Sequence, residues 1–147
     1  MKLILVSVIA LVMSMSVQAA TCELTIDSND QMRFSAAELV VPANCERVRL
    51  TLTHSGRLPR NAMGHNWVLA ETDQVQGLST DAMRAGVDQD YVPADDPRVL
   101  AATGLIGGGE QTSVEFSVTE LRGRDLTYFC SFPGHSMMMR GKLIIEG

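Results

Sequence analysis

Three side chains that bind soft metal ions lie within ten residues of each other near the C-terminus. Four residues separate Cys130 from His135, and three more separate His135 from Met139. A fourth candidate ligand, His65, lies far upstream. One thiolate, two imidazoles and a thioether are the ligands of a trigonal His₂Cys copper site with a long axial methionine, the arrangement of blue-copper electron-transfer sites. The spacing therefore predicts that one short loop surrounds a metal ion and that a distant segment supplies the remaining ligand.

The axial ligand is ambiguous from spacing alone. Met137, Met138 and Met139 are consecutive, and methionine also serves as flexible apolar filler or as partner-binding surface. The chain has only one further histidine, His54, which shares strand parity with Leu50 and Leu52. We therefore expect His54 to point into the core and not to bind the metal.

The segments that must position these side chains have the pattern of β-strands. Apolar and polar residues alternate with a period of two in Leu24 to Ile26, Val48 to His54, Val114 to Val118 and Leu143 to Ile145. Turn signals such as Gly107-Gly108-Gly109 separate the runs. Many short strands with this spacing predict an all-β antiparallel sandwich.

One segment, Thr72 to Gly86, departs from the strand pattern. Its residues Val75, Leu78 and Ala82 have helical spacing. Ser79-Thr80-Asp81 can cap a second helical piece, and the closing glycine is a suitable stop signal. The sequence therefore predicts a helical flap inserted between strands of the sandwich.

The N-terminus has the pattern of a secretory signal peptide. Lys2 is followed by a mainly apolar stretch from Leu3 to Met15, and Val17-Gln18-Ala19 resembles a cleavage site. A transmembrane anchor is the alternative, but the stretch is well short of the ~20 residues that a span needs. We expect cleavage after Ala19, with cleavage after Ala20 as the alternative, so that residues 20–147 form one domain.

The three cysteines of an exported chain cannot all pair with one another. In an oxidising compartment Cys22 and Cys45, which flank a strand-like segment, are the natural disulfide partners. Cys130 is then left over, either as an inert buried thiol or as a ligand. The neighbouring histidine and methionine favour a ligand.

Five segments are together typical of one protein family: Asn29–Met32, Leu58–Asn61, Met63–Leu69, Asp88–Asp96 and Phe129–His135. With them the chain resembles the azurins, small bacterial blue-copper proteins of the cupredoxin family. The lengths of the two gaps in the C-terminal loop separate azurins from plastocyanin-like relatives, whose Cys–His gap is shorter. The resemblance covers almost all of the chain after the signal peptide. It implies a Greek-key β-sandwich or barrel with a short inserted helical flap.

The resemblance also implies one type-1 copper ion and its ligands. The implied ligands are His65, Cys130 and His135 around the equator, Met139 as the weak axial ligand, and the carbonyl of Gly64 on the opposite axial side. Asn66 and the backbone N–H of Phe132 would surround the thiolate sulfur, where outer groups orient and tune the ligands. The Cys22–Cys45 bridge also matches the family.

The expected working surface is an apolar patch around His135. Its residues come from three loops that must converge if the metal site forms: Met32, Leu58, Met63, Phe132, Pro133 and Met137. The resemblance implies transient electron exchange in the periplasm, with c-type cytochromes and copper nitrite reductase among the partners. The chain departs from the family pattern at Ala62, Met137 and Met138, which lie near this surface.

Three functions compete at this point. A one-electron carrier fits the ligand set best, and a periplasmic copper-binding or scavenging protein is the alternative that the methionine run favours, because thioethers suit Cu(I). An enzyme would need a metal with an open position, and only His54 remains to build one, so we expect no enzymatic activity. The net charge of −5 without a basic stripe argues against nucleic-acid binding. Zinc can use the same nitrogen and sulfur ligands.

Overall fold

The computed structural model describes residues 19–147, so the predicted signal peptide, apart from Ala19, lies outside the described residues. Within them, no helix is long and apolar enough to cross a membrane. The strands are β1 (Thr21–Asn29), β2 (Arg33–Phe34), β3 (Glu38–Val41), β4 (Arg47–His54), β5 (Val68–Glu71), β6 (Ala101–Ala102), β7 (Gln111–Ser117), β8 (Leu126–Phe129) and β9 (Arg140–Ile145). The α-helices are α1 (Arg60–Met63) and α2 (Val75–Ala85).

The strands form two sheets, which confirms the predicted all-β sandwich. One sheet has the order β2-β1-β4-β7 and the other has the order β3-β9-β8-β5-β6. The expectation of a purely antiparallel sandwich was wrong for two pairs, because β1 pairs with β4 and β3 pairs with β9 in parallel. The chain leaves the first sheet to form β3 in the second and then returns, so β4 enters beside β1 in the same direction.

Alternation along β4 builds the core between the sheets. Val48, Leu50 and Leu52 are all fully buried, as their parity predicts. The single tryptophan, Trp67, is also fully buried and stacks on Tyr128 at a ring-centroid distance of 5.7 Å. These aromatic contacts lie directly behind the segments that carry the candidate ligands.

Tyr128 illustrates how the core satisfies a polar group. Burial requires a partner for its hydroxyl, and the hydroxyl donates a 2.7 Å hydrogen bond to the carbonyl of Ala36. The hydroxyl lies over Gly141, where a β-carbon would come within 2.3 Å of it. Only a glycine at position 141 therefore leaves room for the buried hydroxyl of Tyr128.

The flap is one helix rather than two pieces. After a single 3₁₀ turn, α2 runs without a break, and the Ser79 hydroxyl donates to the carbonyl of Val75 inside it, so the predicted second cap was wrong. The helix ends as predicted at Gly86, which has φ = 75° and donates its N–H to Ala82. This left-handed conformation suits glycine because it has no β-carbon.

The flap also changes the burial of β8. Besides Leu126 and Tyr128 on the inner face, Thr127 and Phe129 are buried on the outer face. Phe129 packs with Val68, Ala70, Val75 and Leu78 under α2. Both faces of this strand are thus covered immediately before the chain reaches Cys130.

The predicted disulfide bridge joins Cys22 to Cys45. Arg122 holds the same region by donating hydrogen bonds to the carbonyls of Ala43 and Cys45. β4 leads away from the bridge and extends roughly 23 Å from Arg47 to His54, at ~3.3 Å per residue. The bridge therefore lies at the opposite end of the sandwich from the candidate ligands.

Candidate metal centre

The fold brings the three predicted nitrogen and sulfur ligands together. The donor atoms of His65, Cys130 and His135 all lie within 4.8 Å of one another. The Cys130 Sγ atom is 3.8 Å from His65 Nδ1 and 3.7 Å from His135 Nδ1. All three residues are buried. The site is therefore a compact cluster of one soft and two intermediate donors shielded from water.

His65 is held by hydrogen bonds on both its backbone and its ring. Its backbone exchanges two hydrogen bonds with Ile106, of 3.0 and 2.9 Å. Its ring Nε2 lies 2.9 Å from the carbonyl of Asn29. A carbonyl can only accept, so Nε2 carries the proton, and the lone pair of Nδ1 faces the sulfur. The ring is thus oriented for ligation before any metal binds.

Gly64 allows His65 to approach in this way. It ends α1, and a β-carbon on it would lie 2.3 Å from the carbonyl oxygen of Arg60 and 3.0 Å from Leu105. Any larger residue would therefore push the segment that carries His65 away from its neighbours.

Backbone hydrogen bonds close the C-terminal loop. The N–H of Cys130 donates to the carbonyl of Met139 at 2.9 Å, and the N–H of Met139 donates to the carbonyl of His135 at 2.8 Å. The side chain of Met139 is fully buried, whereas those of Met137 and Met138 are each 63% exposed. Of the three consecutive methionines, only Met139 is therefore directed into the protein.

Asn66 connects the two segments that carry the ligands. Its side-chain oxygen accepts a 2.8 Å hydrogen bond from the Ser131 N–H, and its amide donates to the Ser131 hydroxyl at 2.7 Å and to the Asp90 carbonyl at 2.8 Å. The Ser131 hydroxyl donates in turn to the carbonyl of Tyr91. Asn66 was expected here from the resemblance, whereas Ser131 was not, although its place directly after Cys130 at the end of a strand was a usable signal.

Burial sets the protonation of the ligands. Burial raises the pKa of the Cys130 thiol to about 12, although hydrogen bonds from the backbone N–H groups of Asn66 and Phe132 act in the opposite direction. Burial, followed by the neighbouring histidines, lowers the pKa of His65 to about 4, and burial lowers the pKa of His135. The imidazoles are therefore neutral at pH 7 and ready to bind a cation, and a bound cation would displace the thiol proton.

His54 lies beside the cluster but has no free nitrogen. It stacks on His65 at a centroid distance of 4.6 Å. Its Nε2 is 3.0 Å from the carbonyl of Met63, and its Nδ1 accepts a 3.0 Å hydrogen bond from the N–H of Gly56. The expected role of His54 as a core residue agrees with this geometry.

His135, around which the patch was predicted, is 4% exposed. The Phe132 ring is 4.5 Å from the His135 ring. The Met32 N–H donates to the Asn29 carbonyl, which also accepts from His65. All the predicted patch members are partly or largely exposed, namely Met32, Leu58, Met63, Phe132, Pro133 and Met137.

Fold and cluster together define a class of protein. A β-sandwich that holds two imidazoles and one thiol at a buried point, with a buried methionine in the same loop, is a blue-copper electron-transfer protein, and its donor set fits copper. Residues 20–146 match the model of the copper binding proteins of the plastocyanin/azurin family. The chain belongs to this family.

Known azurins are similar to this chain over most of its length. An azurin of Achromobacter denitrificans is 51% identical over 131 residues, which are 88% of each chain. An azurin of Pseudomonas chlororaphis is 46% identical over 128 residues, which are 86% of this chain and all of that relative. The solved structure of an azurin from Methylomonas sp. strain J superposes with a TM-score of 0.82 at 45% identity, covering 86% of this chain and 98% of the other.

Proposed function

We propose that His65, Cys130 and His135 are the equatorial ligands of one copper ion, with Met139 as the weak axial ligand and the Gly64 carbonyl on the opposite axial side. The main support for this proposal is that three buried donor atoms lie within 4.8 Å of one another. The burial of Met139 beside its two exposed neighbours supports the axial assignment.

Copper bound there supplies one-electron transfer by alternating between Cu(II) and Cu(I). The protein contributes a fixed set of ligand positions. The Asn29 carbonyl orients His65, and Asn66 joins the two ligand-bearing segments. The N–H groups of Asn66 and Phe132 donate toward the Cys130 sulfur and favour its thiolate form. Ligands that are already in place reorganise little when an electron arrives.

The patch around His135 is the proposed electron-exchange surface, with periplasmic c-type cytochromes and copper nitrite reductase as partners. Weak redox encounters use small interfaces, below ~1,200 Å², and an apolar patch of six side chains suits such a contact. Met63→Lys would place a charge in the patch without touching a ligand. We expect slower electron exchange with an unchanged copper spectrum, while Ile144→Lys, on the exposed face of β9, serves as the control with no effect.

The proposed location is the periplasm, reached with a signal peptide that is cleaved after Ala19 or Ala20. The family match begins at residue 20, and a disulfide bridge is typical of an oxidising compartment. Both observations support a mature domain of residues 20–147.

We further propose that the protein is an electron carrier and not an enzyme. The hydrogen bonds of His54 leave no free imidazole beside the cluster for a second metal centre. A copper-binding or scavenging role is the second candidate, favoured by the exposed thioethers of Met137 and Met138. The two roles differ in how readily the copper ion leaves the protein. A copper scavenger passes its copper to an apo-acceptor readily, whereas an electron carrier retains it.

The test is one equivalent of Cu(II) added to the exported protein, followed by visible and EPR spectroscopy. An intense blue thiolate-to-copper band with narrow copper hyperfine splitting is expected. Cys130→Ser should fold and lose the strong colour, while Ser136→Ala in the same loop keeps it. A pale, tetragonal spectrum of the unmodified protein, or a blue Cys130→Ser variant, would exclude the proposed ligand set.

A further inference from the structure

We propose that Met137 and Met138 are a reversible oxidation site, at which peroxide converts the thioethers to sulfoxides and thereby weakens partner docking at the patch. This inference rests on the proposed function of the patch as the electron-exchange surface. It assigns a regulatory chemistry to the two exposed thioethers of the C-terminal loop.

The methionines of the described chain differ sharply in exposure. Met137 and Met138 are each 63% exposed, and Met83 on α2 is 53% exposed. Met32 and Met63 are partly buried, and Met139 is fully buried. Susceptibility of sulfur to oxidation follows exposure, so peroxide should reach the first two positions well before it reaches the proposed axial ligand.

The two exposed methionines lie where their chemistry affects docking. They follow His135 by two and three residues, and the N–H of Met138 donates to the His135 carbonyl at 3.0 Å. The loop is closed by backbone hydrogen bonds and by the buried Met139, and not by these two side chains. Their thioethers can therefore change polarity without unfolding the loop or moving the ligands.

The reaction is a two-electron oxygen transfer. The sulfur lone pair attacks one peroxide oxygen, the O–O bond breaks and an S–O bond forms. The thioether is oxidised to a sulfoxide, and the peroxide is reduced to water or to an alcohol. Sulfoxide reductases reverse the step, so the modification can be switched in both directions.

The consequence for docking follows from polarity. A thioether leaves water easily when a partner covers the patch, whereas a sulfoxide carries a strong hydrogen-bond acceptor that must be desolvated. Oxidation of both positions therefore weakens the encounter, and we expect electron exchange to fall about tenfold. The copper spectrum should stay unchanged because Met139 remains covered.

The experiment uses the copper-loaded protein and dilute hydrogen peroxide. Peptide mass spectrometry reports oxidation at each methionine, before and after treatment with a sulfoxide reductase. NMR line broadening in mixtures of the Cu(I) and Cu(II) forms reports the electron self-exchange rate. The double variant M137L/M138L removes the oxidisable sulfur at similar size, and Met83→Leu is the matched control for an exposed methionine on the flap.

The expected results are oxidation at positions 137 and 138 in preference to the buried Met139, and a self-exchange rate that falls and is restored by the reductase. Peroxide should leave the rate unchanged in M137L/M138L but lower it in Met83→Leu. The inference is overturned if both sulfoxides form without a change in rate, or if Met83→Leu alone abolishes the effect. A protein that is never blue contradicts the copper site itself. A blue protein without self-exchange before peroxide contradicts the docking patch, and with it the regulatory site.

Discussion

Substitution of Asn66 tests how strongly the two ligand-bearing segments are held together. The side chain makes three hydrogen bonds: two buried ones, with the Ser131 N–H and the Ser131 hydroxyl, and a partly buried one to the Asp90 carbonyl. At about 1 kcal/mol each, Asn66→Leu should lower the free energy of unfolding by about 3 kcal/mol. Leucine keeps a similar volume, so the loss reports hydrogen bonds more than packing.

A double-mutant cycle with Ser131 isolates the hydrogen bond between the side chains of Asn66 and Ser131. Ser131→Ala removes two hydrogen bonds, those of its hydroxyl to Asn66 and to Tyr91, and should cost about 2 kcal/mol. One of these is also lost in Asn66→Leu, so the double variant loses four different bonds and should cost about 4 kcal/mol. The two single costs therefore exceed the double cost by about 1 kcal/mol, which is the coupling energy of the shared bond.

The assay is urea denaturation of the metal-free proteins, followed by the fluorescence of Trp67 and by circular dichroism. Metal-free protein is used because bound copper would add its own binding energy to the stability. With a slope of about 2 kcal/mol per molar urea, the midpoint of Asn66→Leu should fall by about 1.5 M. Ser136→Ala should shift the free energy of unfolding by less than about 0.5 kcal/mol. A coupling energy near zero would refute the shared hydrogen bond.

Two other predictions concern regions outside the metal centre. The bridge between Cys22 and Cys45 spans a sequence separation of 23 residues. On the chain-entropy account, C22A/C45A should therefore lower the free energy of unfolding by about 3.4 kcal/mol and leave the blue band unchanged. Equal urea midpoints for the two proteins would contradict this account. Hydrogen bonds from the Arg98 side chain lower the pKa of Asp96 from 3.8 to about 2. The associated stability is therefore present above pH 4 and lost as the pH falls toward 2, and Asp96→Asn should flatten the dependence of the unfolding midpoint on pH in that range.

Residue types and spacing pointed to His65, Cys130 and His135, whose donor atoms the fold brings within 4.8 Å of one another, because few side chains bind soft metals and strand parity fixes their direction. Cys130 was expected to point inward from the end of a strand, and it is fully buried. His54 was likewise expected to point into the core because of its parity with Leu50 and Leu52, and its burial confirms the direction. These predictions needed only local geometry.

The predictions that failed or were absent depend on contacts between distant segments. The outer face of β8 is buried because α2 covers Phe129, which the alternation within one strand cannot reveal. The parallel pairing of β1 with β4 depends on the route of the chain between sheets. The hydrogen bonds of Ser131 and Tyr91 depend on the conformation of two loops that meet only in the folded protein.

The order of the three cysteines along the chain matters for assembly under the proposed export to the periplasm. Cys22 and Cys45 both precede every ligand, and Cys130 comes near the end. In a chain that emerges from its N-terminus through the membrane, the first two thiols meet an oxidising environment while the third is still inside. Once the sandwich closes, burial keeps the pKa of Cys130 near 12, and thiol–disulfide exchange requires a thiolate. Under the proposed export, vectorial translocation followed by burial would protect one thiol for copper in a compartment that oxidises the others.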